Sequence, residues 1–192
     1  MLKESYTNRF YTYNSKYITN ALNLRPPQER SLDYFARLLD VISLKKKPKD
    51  ADATEFYRDD LTAVRELFPT FTSFERDFPS VCFALATGIG KTRLMGACIA
   101  YLRYEKGIKN FFVMAPNLTI YRKLKDDLGN PTSHKYVFKG LDLFVEPPRI
   151  IDGDNYAEYG QGAFAVNDVV INIFNISKLN ADSKVKDGAP AR

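Results

Sequence analysis

The segment TGIGKT, residues 87–92, combines the residue types that bind phosphate. Glycines such as Gly88 and Gly90 allow a backbone with positive φ that approaches phosphate closely. Successive N–H groups then point at the phosphate oxygens, and a following helix adds the positive end of its dipole. Lys91 would supply an ammonium for the β- and γ-phosphates, and Thr92 a hydroxyl for Mg²⁺. The predicted phosphate-binding residues are Thr87, Gly88, Ile89, Gly90, Lys91 and Thr92.

The segments on both sides of this loop fit that prediction. Val81–Leu85 is apolar and is predicted to form a buried strand. Thr92 to about Tyr104 is predicted to form a helix that Gly107 closes. The alternative is a glycine turn that only caps a helix. That alternative does not account for a Lys-Thr pair at this position after a buried strand, so the arrangement favours a phosphate site.

The rest of the chain alternates between helical and strand-like patterns. Further helices are predicted over Pro27–Leu44, over 54–68 with Thr54 as a cap, and over Thr119–Leu128, and further strands over Phe111–Ala115, Val137–Phe144, Arg149–Ile151 and Asp168–Ile176. Continuously apolar strands that alternate with helices predict a parallel sheet buried on both faces, with the two N-terminal helices packed outside it. The predicted fold class is therefore α/β.

Composition narrows the kind of protein. The 192 residues favour one domain, and an apolar content of 45% is enough for a core. The sequence has no run of about 18 apolar residues, so no membrane span is predicted. The first residues lack the apolar region of a secretory signal. Cys82 and Cys98 lie in apolar stretches. They are predicted to be reduced core thiols of a cytoplasmic protein.

The net charge of +5 and the isoelectric point of about 9.1 favour an anionic partner, of which nucleic acid is the commonest. Aromatic and basic residues also alternate near the N-terminus. The aromatic residues are Tyr6, Phe10, Tyr11, Tyr13 and Tyr17, and the basic ones are Arg9 and Lys16. Such rings stack on bases in some proteins. The alternative is that they hold a peripheral segment against the domain.

The phosphate loop also resembles a particular class of motor. The general pattern G-x-x-x-x-G-K-[ST] has a glycine where this chain has Leu85. LATGIGKT resembles the loop of superfamily 2 helicases and translocases, in which a small or apolar residue commonly takes that place. Together with LRPPQ, VMAPN and INIFNISK, it resembles the Res subunit of type III restriction enzymes over most of the chain. The resemblance implies a three-layer RecA-like P-loop domain with a mostly parallel sheet and extra N-terminal helices.

The same resemblance suggests roles for residues outside the loop. LRPPQ resembles the Q-motif, so Gln28 is the predicted adenine-binding residue, and its amide offers both a donor and an acceptor. The alternative is a solvated glutamine at a helix start. The predicted DNA-backbone contacts are Pro116, Asn117, Thr119 and Ser177, with Asn175 as a further candidate and Arg122 and Lys123 as added charge. An ordinary strand-to-helix turn is the alternative there.

Hydrolysis needs an acidic pair that this sequence lacks. An Asp helps to hold Mg²⁺, and a neighbouring Glu orients the attacking water. The chain contains no Asp-Glu pair: Glu146 lacks the Asp and Asp152 lacks the Glu. We therefore predict no catalytic residue in this chain and an incomplete first motor domain that is inactive alone. We expect an N-terminal extension over 1–80, a partial RecA-like core over 81–180 and a frayed tail over 181–192.

In the full-length parent, the resemblance implies an ATP hydrolase coupled to DNA translocation and restriction, with ATP and Mg²⁺ as cofactors. It also implies double-stranded DNA and a methyltransferase/specificity subunit as partners, and a separate nuclease domain. Two alternatives stay open. One is another superfamily 2 motor, such as a type I restriction motor subunit or an RNA helicase. The other is a P-loop module that binds nucleotide without hydrolysing it.

Overall fold

The structure is a computed structural model that describes residues 14–153, 155 and 169–176. Its helices are α1 (14–21), α2 (Pro26–Val41), α3 (Ala53–Phe56), α4 (Arg58–Leu67), α5 (Lys91–Lys106) and α6 (Leu118–Gly129), with a 3₁₀ turn at Asp142–Phe144. Its strands are β1 (Asn110–Ala115), β2 (Arg149–Ile151) and β3 (Val170–Asn175). None of the helices within these residues is long and apolar enough to cross a lipid bilayer.

The three strands form one parallel sheet in the order β1-β3-β2. Asn110 lies opposite Val170, and the register runs on to Ala115 opposite Asn175. Because the strands are parallel, β1 and β3 end side by side at the same edge of the sheet. The α/β class and the parallel sheet with flanking helices are confirmed, as a RecA-like domain requires.

Helices α5 and α6 bury one face of this sheet. Leu94 and Ala97 of α5 share a core cluster with Val113 of β1 and Ile173 of β3. Gly96 of α5 allows the Val137 side chain to pack closely against this helix, because a Cβ on Gly96 would lie 2.7 Å from that side chain. On the other face, Phe112 and Met114 are 60% and 50% exposed, and Phe112 stacks on Phe174 with ring centroids 5.4 Å apart. Within the described part of the chain the sheet is therefore open on that face, and the prediction that both faces are buried is wrong there.

The N-terminal helices belong to the same core as α5. Ile18, Leu32 and Ala36 are fully buried in that cluster. Tyr17 packs edge-on against Tyr104 at 5.7 Å, so this aromatic residue holds α1 against the domain. The four other aromatic residues of the predicted stacking segment, Tyr6 to Tyr13, lie outside the described residues. The division of the chain at residue 80 stays a prediction.

The second predicted helix is two helices. Asp52 is the N-cap of α3, and its carboxylate accepts from the Glu55 N–H at 2.9 Å, so Thr54 was the wrong cap. The helix breaks at Tyr57, which is buried in a small cluster with Leu38, Val64 and Phe74. Burial of the Tyr57 ring determines where the backbone turns between α3 and α4, and it outweighs the helix propensity of the segment.

The predicted strand Val81–Leu85 is wrong. Residues 81–86 have no strand pairing in the structure, and the Val81 side chain is 40% exposed. Cys82 is exposed as well, which corrects its assignment to the core, whereas Cys98 is partly buried. An apolar run becomes a strand only when another strand completes its backbone hydrogen bonds. No strand lies beside residues 81–86 among those that the structure describes.

The predicted strand Val137–Phe144 is also wrong, because this stretch consists of turns and the 3₁₀ helix. Three of its buried residues, Phe138, Leu141 and Phe144, recur every three positions, which is the period of a 3₁₀ helix and not of a strand. Phe138 stacks on Phe144 with centroids 4.2 Å apart. Gly140 takes a positive φ of 91° at the turn between them.

Candidate nucleotide site

The phosphate loop has the backbone conformation that its glycines predict. Gly88 and Gly90 have φ values of 80° and 90°, in the left-handed region that favours glycine. Gly90 caps α5, and its carbonyl oxygen accepts from the N–H groups of Arg93 at 3.0 Å and Leu94 at 3.2 Å. Apart from the residues next to it in sequence, no residue that the structure describes has an atom within 4 Å of where a Cβ on Gly88 would stand. The loop therefore leaves open space at the N-terminus of a sixteen-residue helix.

Lys91 and Thr92 begin that helix, so their side chains lie at the mouth of the loop. The Lys91 Nζ donates to the Ala86 carbonyl oxygen at 3.1 Å, which folds the ammonium back over the loop. Lys91 is exposed and Thr92 is half-buried. An ammonium and a hydroxyl at this position fit a phosphate group and the Mg²⁺ ion that accompanies it.

The start of α2 holds the loop from outside. The Gln28 Nε2 donates to the Gly90 carbonyl oxygen at 2.8 Å, and the Gln28 Oε1 accepts from the Arg25 N–H at 2.8 Å. The Arg25 Nη1 donates to the Gly88 carbonyl oxygen at 3.3 Å. Two side chains of one helix start thus hold the two left-handed glycines. The role of Arg25 was not predicted from the sequence; its position three residues before Gln28 was the available signal.

Gln28 is almost completely buried, at 1% exposed. Both ends of its amide are engaged by backbone groups, so binding of an adenine edge would exchange at least one of these hydrogen bonds. Adenine binding by Gln28 stays a prediction. Gln28 has a second role in the structure, because it leaves no room for a side chain at residue 90: a Cβ on Gly90 would lie 2.7 Å from the Gln28 Nε2. The close approach of loop and helix depends on this glycine.

A cleft of about 520 Å³ lies between the loop and the start of α2. Arg25, Gln28 and Arg93 line it together with the loop glycines. The Arg93 Nη1 donates to the Leu22 carbonyl oxygen at 2.8 Å, which fixes this guanidinium at the wall of the cleft. Two guanidinium groups beside a phosphate loop make the cleft positively charged and suited to an anionic ligand.

Helix α6 contributes one side chain to the same site. The Lys123 Nζ donates to the Thr92 Oγ1 at 3.4 Å and also pairs with the Asp127 carboxylate. The Asp127 side chain is only 4% exposed. Sequence reasoning gave Lys123 no role beyond added charge. The Lys-Asp spacing of four residues on a helix was the available signal.

The predicted DNA-contacting residues lie where β1 ends. Pro116, Asn117 and Thr119 are all exposed at this edge of the sheet. The Asn117 Oδ1 accepts from the Ile120 N–H at 2.9 Å and so caps α6. Asn175, at the end of the neighbouring strand, is buried. Ser177 lies outside the described residues, and DNA contact at all these positions stays a prediction.

The two acidic residues considered for hydrolysis occupy other surroundings. Asp152 is buried and pairs with Lys125 of α6, and its carboxylate also accepts from the Asn155 N–H at 3.1 Å. Glu146 is exposed. No group of three or more His, Cys, Asp or Glu side chains that could hold a metal ion occurs among the residues the structure describes.

Comparison with known proteins identifies the family. No solved structure matches the chain. A curated relative, the "Probable type III restriction-modification enzyme HindVIP Res subunit" of Haemophilus influenzae, is 35% identical over 74 residues, which cover 35% of this chain and 14% of the relative. The chain therefore matches a small part of that relative's length. The family model described as "Type III restriction enzyme, res subunit" matches residues 21–190. This match takes in α2, the phosphate loop and all three strands, and the chain belongs to that family.

Proposed function

We propose that this chain supplies the ATP-binding part of a DNA-dependent ATPase and translocase motor in a type III restriction endonuclease. The observation that carries the proposal is the phosphate loop, in which two left-handed glycines lead directly into α5 with Lys91 and Thr92 at its first turn. In this arrangement, backbone N–H groups and the helix dipole both favour a bound phosphate. Family membership favours a restriction motor over other phosphate-binding proteins.

ATP and Mg²⁺ are the cofactors that this site would hold. We assign the phosphates to the loop over 87–92, with Lys91 neutralising their charge, and we assign the base to the cleft beside Gln28. Thr92 would ligate Mg²⁺ through its hydroxyl. When bound, Mg²⁺ would supply positive charge that neutralises the phosphates. The lining arginines, Arg25 and Arg93, support an anionic ligand in the same cleft.

Double-stranded DNA is the proposed track. Pro116, Asn117 and Thr119 would contact its backbone at the end of β1, with Ser177 after β3 as a further contact. Exposure of the first three residues and the shared edge of the two strands support this assignment. Hydrogen bonds to phosphate position a protein on DNA without reading its sequence, as a translocase requires. We propose a methyltransferase/specificity subunit as the partner that provides sequence recognition.

The first test is ATP binding and ATP hydrolysis by this chain, with Lys91→Ala as the comparison. We expect Mg²⁺-dependent binding that Lys91→Ala weakens by about a hundredfold, since it removes the charged hydrogen-bond donor to the phosphates and about 3 kcal/mol of binding free energy. We expect no phosphate release, with or without DNA, because the sequence has no Asp-Glu pair.

Lys91 is exposed, so its replacement is expected to leave the melting temperature unchanged. Equal ATP binding by the wild-type chain and by Lys91→Ala would show that the loop is not the ATP-binding site. DNA-stimulated hydrolysis that is lost in Lys91→Ala would show instead that this chain carries its own catalytic acid, and Glu146 and Asp152 would then be replaced one at a time.

A further inference from the structure

Lys123 connects α6 to the phosphate loop. Its ammonium lies 3.4 Å from the Thr92 Oγ1 and forms an ion pair with the Asp127 carboxylate. The Asp127 side chain is 4% exposed, while that of Lys123 is 50% exposed. A buried anion therefore anchors a cation that is directed at the hydroxyl proposed to hold Mg²⁺.

The two members of the pair differ in how firmly they are held. Asp127 lies on the buried side of α6, and its backbone carbonyl oxygen accepts from the Val137 N–H at 2.9 Å. The lysine ammonium is carried on a flexible four-carbon chain and is half exposed. When the site changes, Lys123 is the group that can move, and Asp127 is the fixed group with which it can stay paired.

A bound Mg²⁺ ion would conflict with the present position of Lys123. Mg²⁺ binds oxygen at about 2.1 Å and needs the lone pairs of its ligand. The Lys123 ammonium donates to the same Thr92 oxygen. Two cations on one half-buried hydroxyl repel each other more strongly than they would in water. Binding of Mg²⁺ at Thr92 therefore requires Lys123 to leave.

We propose that Lys123 is a positioning residue that takes the place of the metal at Thr92 until Mg²⁺ binds, and that its ion pair with Asp127 then holds the ammonium away from the hydroxyl. This inference rests on the proposed function, because it assumes that Thr92 is a metal ligand. Its consequence is that occupancy of the metal position changes the side-chain contacts of α6. The N-cap of this helix is Asn117, which belongs to the proposed DNA contacts. Lys123 thus lies on the helix that joins the two proposed sites.

The test measures how binding of a fluorescent ATP analogue to the full chain depends on Mg²⁺ concentration. Asp127→Asn removes the anion that draws Lys123 away, so we expect the half-saturating Mg²⁺ concentration to rise about fivefold. The double variant Lys123→Met with Asp127→Asn removes the competing cation without leaving an unpaired buried carboxylate. For this variant we expect the half-saturating concentration to fall about fivefold.

The opposite signs separate the proposed role from a purely structural one, which would weaken binding in both variants. A matched control is the double variant Lys125→Met with Asp152→Asn, which removes another ion pair of α6 with a buried aspartate. We expect its Mg²⁺ dependence to equal that of the wild type. Shifts in the same direction for the two test variants, or no shift in Asp127→Asn, would overturn the inference. Failure of the wild-type chain to bind the analogue at any Mg²⁺ concentration would overturn the proposed function itself.

Discussion

Two regions of this molecule share a sequence pattern and differ in structure. Each has an apolar run, a short turn and a helix: residues 81–86 with the phosphate loop and α5, and β1 with Pro116, Asn117 and α6. In the second region the run is a strand paired with β3 along its whole length. In the first region the run has no pairing and is partly exposed.

The two turns are correspondingly held in different ways. The turn after β1 is fixed locally, because the Asn117 side chain caps the helix that follows it. The phosphate loop is fixed from a distance, because Arg25, the N-cap of α2, and Gln28 in α2 hold the carbonyl groups of Gly88 and Gly90. A loop can thus have a defined conformation without support from the strand before it, provided that side chains of another element satisfy its backbone.

The largest effect is expected from making the same substitution in both apolar runs. Val113 is 8% exposed and Val81 is 40% exposed. We expect Val113→Ala to lower the free energy of unfolding by about 2 kcal/mol, because it removes buried methyl groups from the core. We expect Val81→Ala to change it by less than about 0.5 kcal/mol. Urea denaturation of the two variants measures the difference, and equal losses would mean that residues 81–86 are packed as firmly as β1.

A smaller difference between matched variants is expected at the two left-handed glycines that bound α5. Gly90 and Gly107 have φ values of 90° and 65°, but only at Gly90 would a Cβ meet another group, the Gln28 Nε2. We expect Gly107→Ala to cost about 1 kcal/mol of stability through backbone strain alone. Gly90→Ala is expected to cost about 1 kcal/mol more, because it also displaces the Gln28 hydrogen bond.

Thermal or urea denaturation of both glycine variants would test this, and nucleotide binding gives a second measurement. Only Gly90→Ala is expected to weaken binding, since Gly107 lies at the opposite end of the helix. Equal costs in stability together with equal binding would show that α2 does not constrain the loop.

The smallest effect on stability is expected from chemical modification of Cys82, which lies in the unpaired run 81–86. Cys82 is exposed, so we expect iodoacetamide to react with it in the folded protein at about pH 8 and to leave the free energy of unfolding within about 0.5 kcal/mol. Burial raises the pKa of Cys98 from 9.0 to about 12, so its thiol stays neutral and unreactive at that pH.

Peptide mapping before and after unfolding would identify the modified residue. The raised pKa has a second consequence, because the unfolded chain loses the Cys98 proton at lower pH than the folded chain does. The contribution of the neutral Cys98 thiol to the free energy of unfolding is complete below about pH 9 and is lost as the pH rises towards 12. Rapid labelling of Cys98 in the folded protein at pH 8 would contradict this environment.

The sequence predicted the elements whose signals are local. Gly107 after an apolar-periodic segment predicted the end of α5, and Asn117 after an apolar run predicted the turn at which α6 begins. The left-handed conformations of Gly88 and Gly90 followed from the lack of a side chain. Alternation of such elements was enough to predict a parallel α/β sheet.

The features that the sequence did not predict depend on distant partners. Whether residues 81–86 form a strand depends on a neighbouring strand, and the apolar run carries no information about that neighbour. The Gln28–Gly90 hydrogen bond joins residues 62 positions apart, and Lys123 reaches Thr92 across 31 positions. A single sequence contains no direct signal for such pairs, and they decide how the candidate site is held.

The hold of α2 on the phosphate loop also has a consequence for the order of folding. The cap of α6 joins residues three positions apart, so the turn after β1 can form as soon as its own segment is made. The phosphate loop depends on the Gln28–Gly90 hydrogen bond, which joins residues 62 positions apart. Its conformation therefore forms only when α2 packs on α5. During synthesis the chain emerges with α2 first. We therefore expect the groups that hold the loop to have left the ribosome before the loop itself, and the loop to take its conformation once α5 has followed.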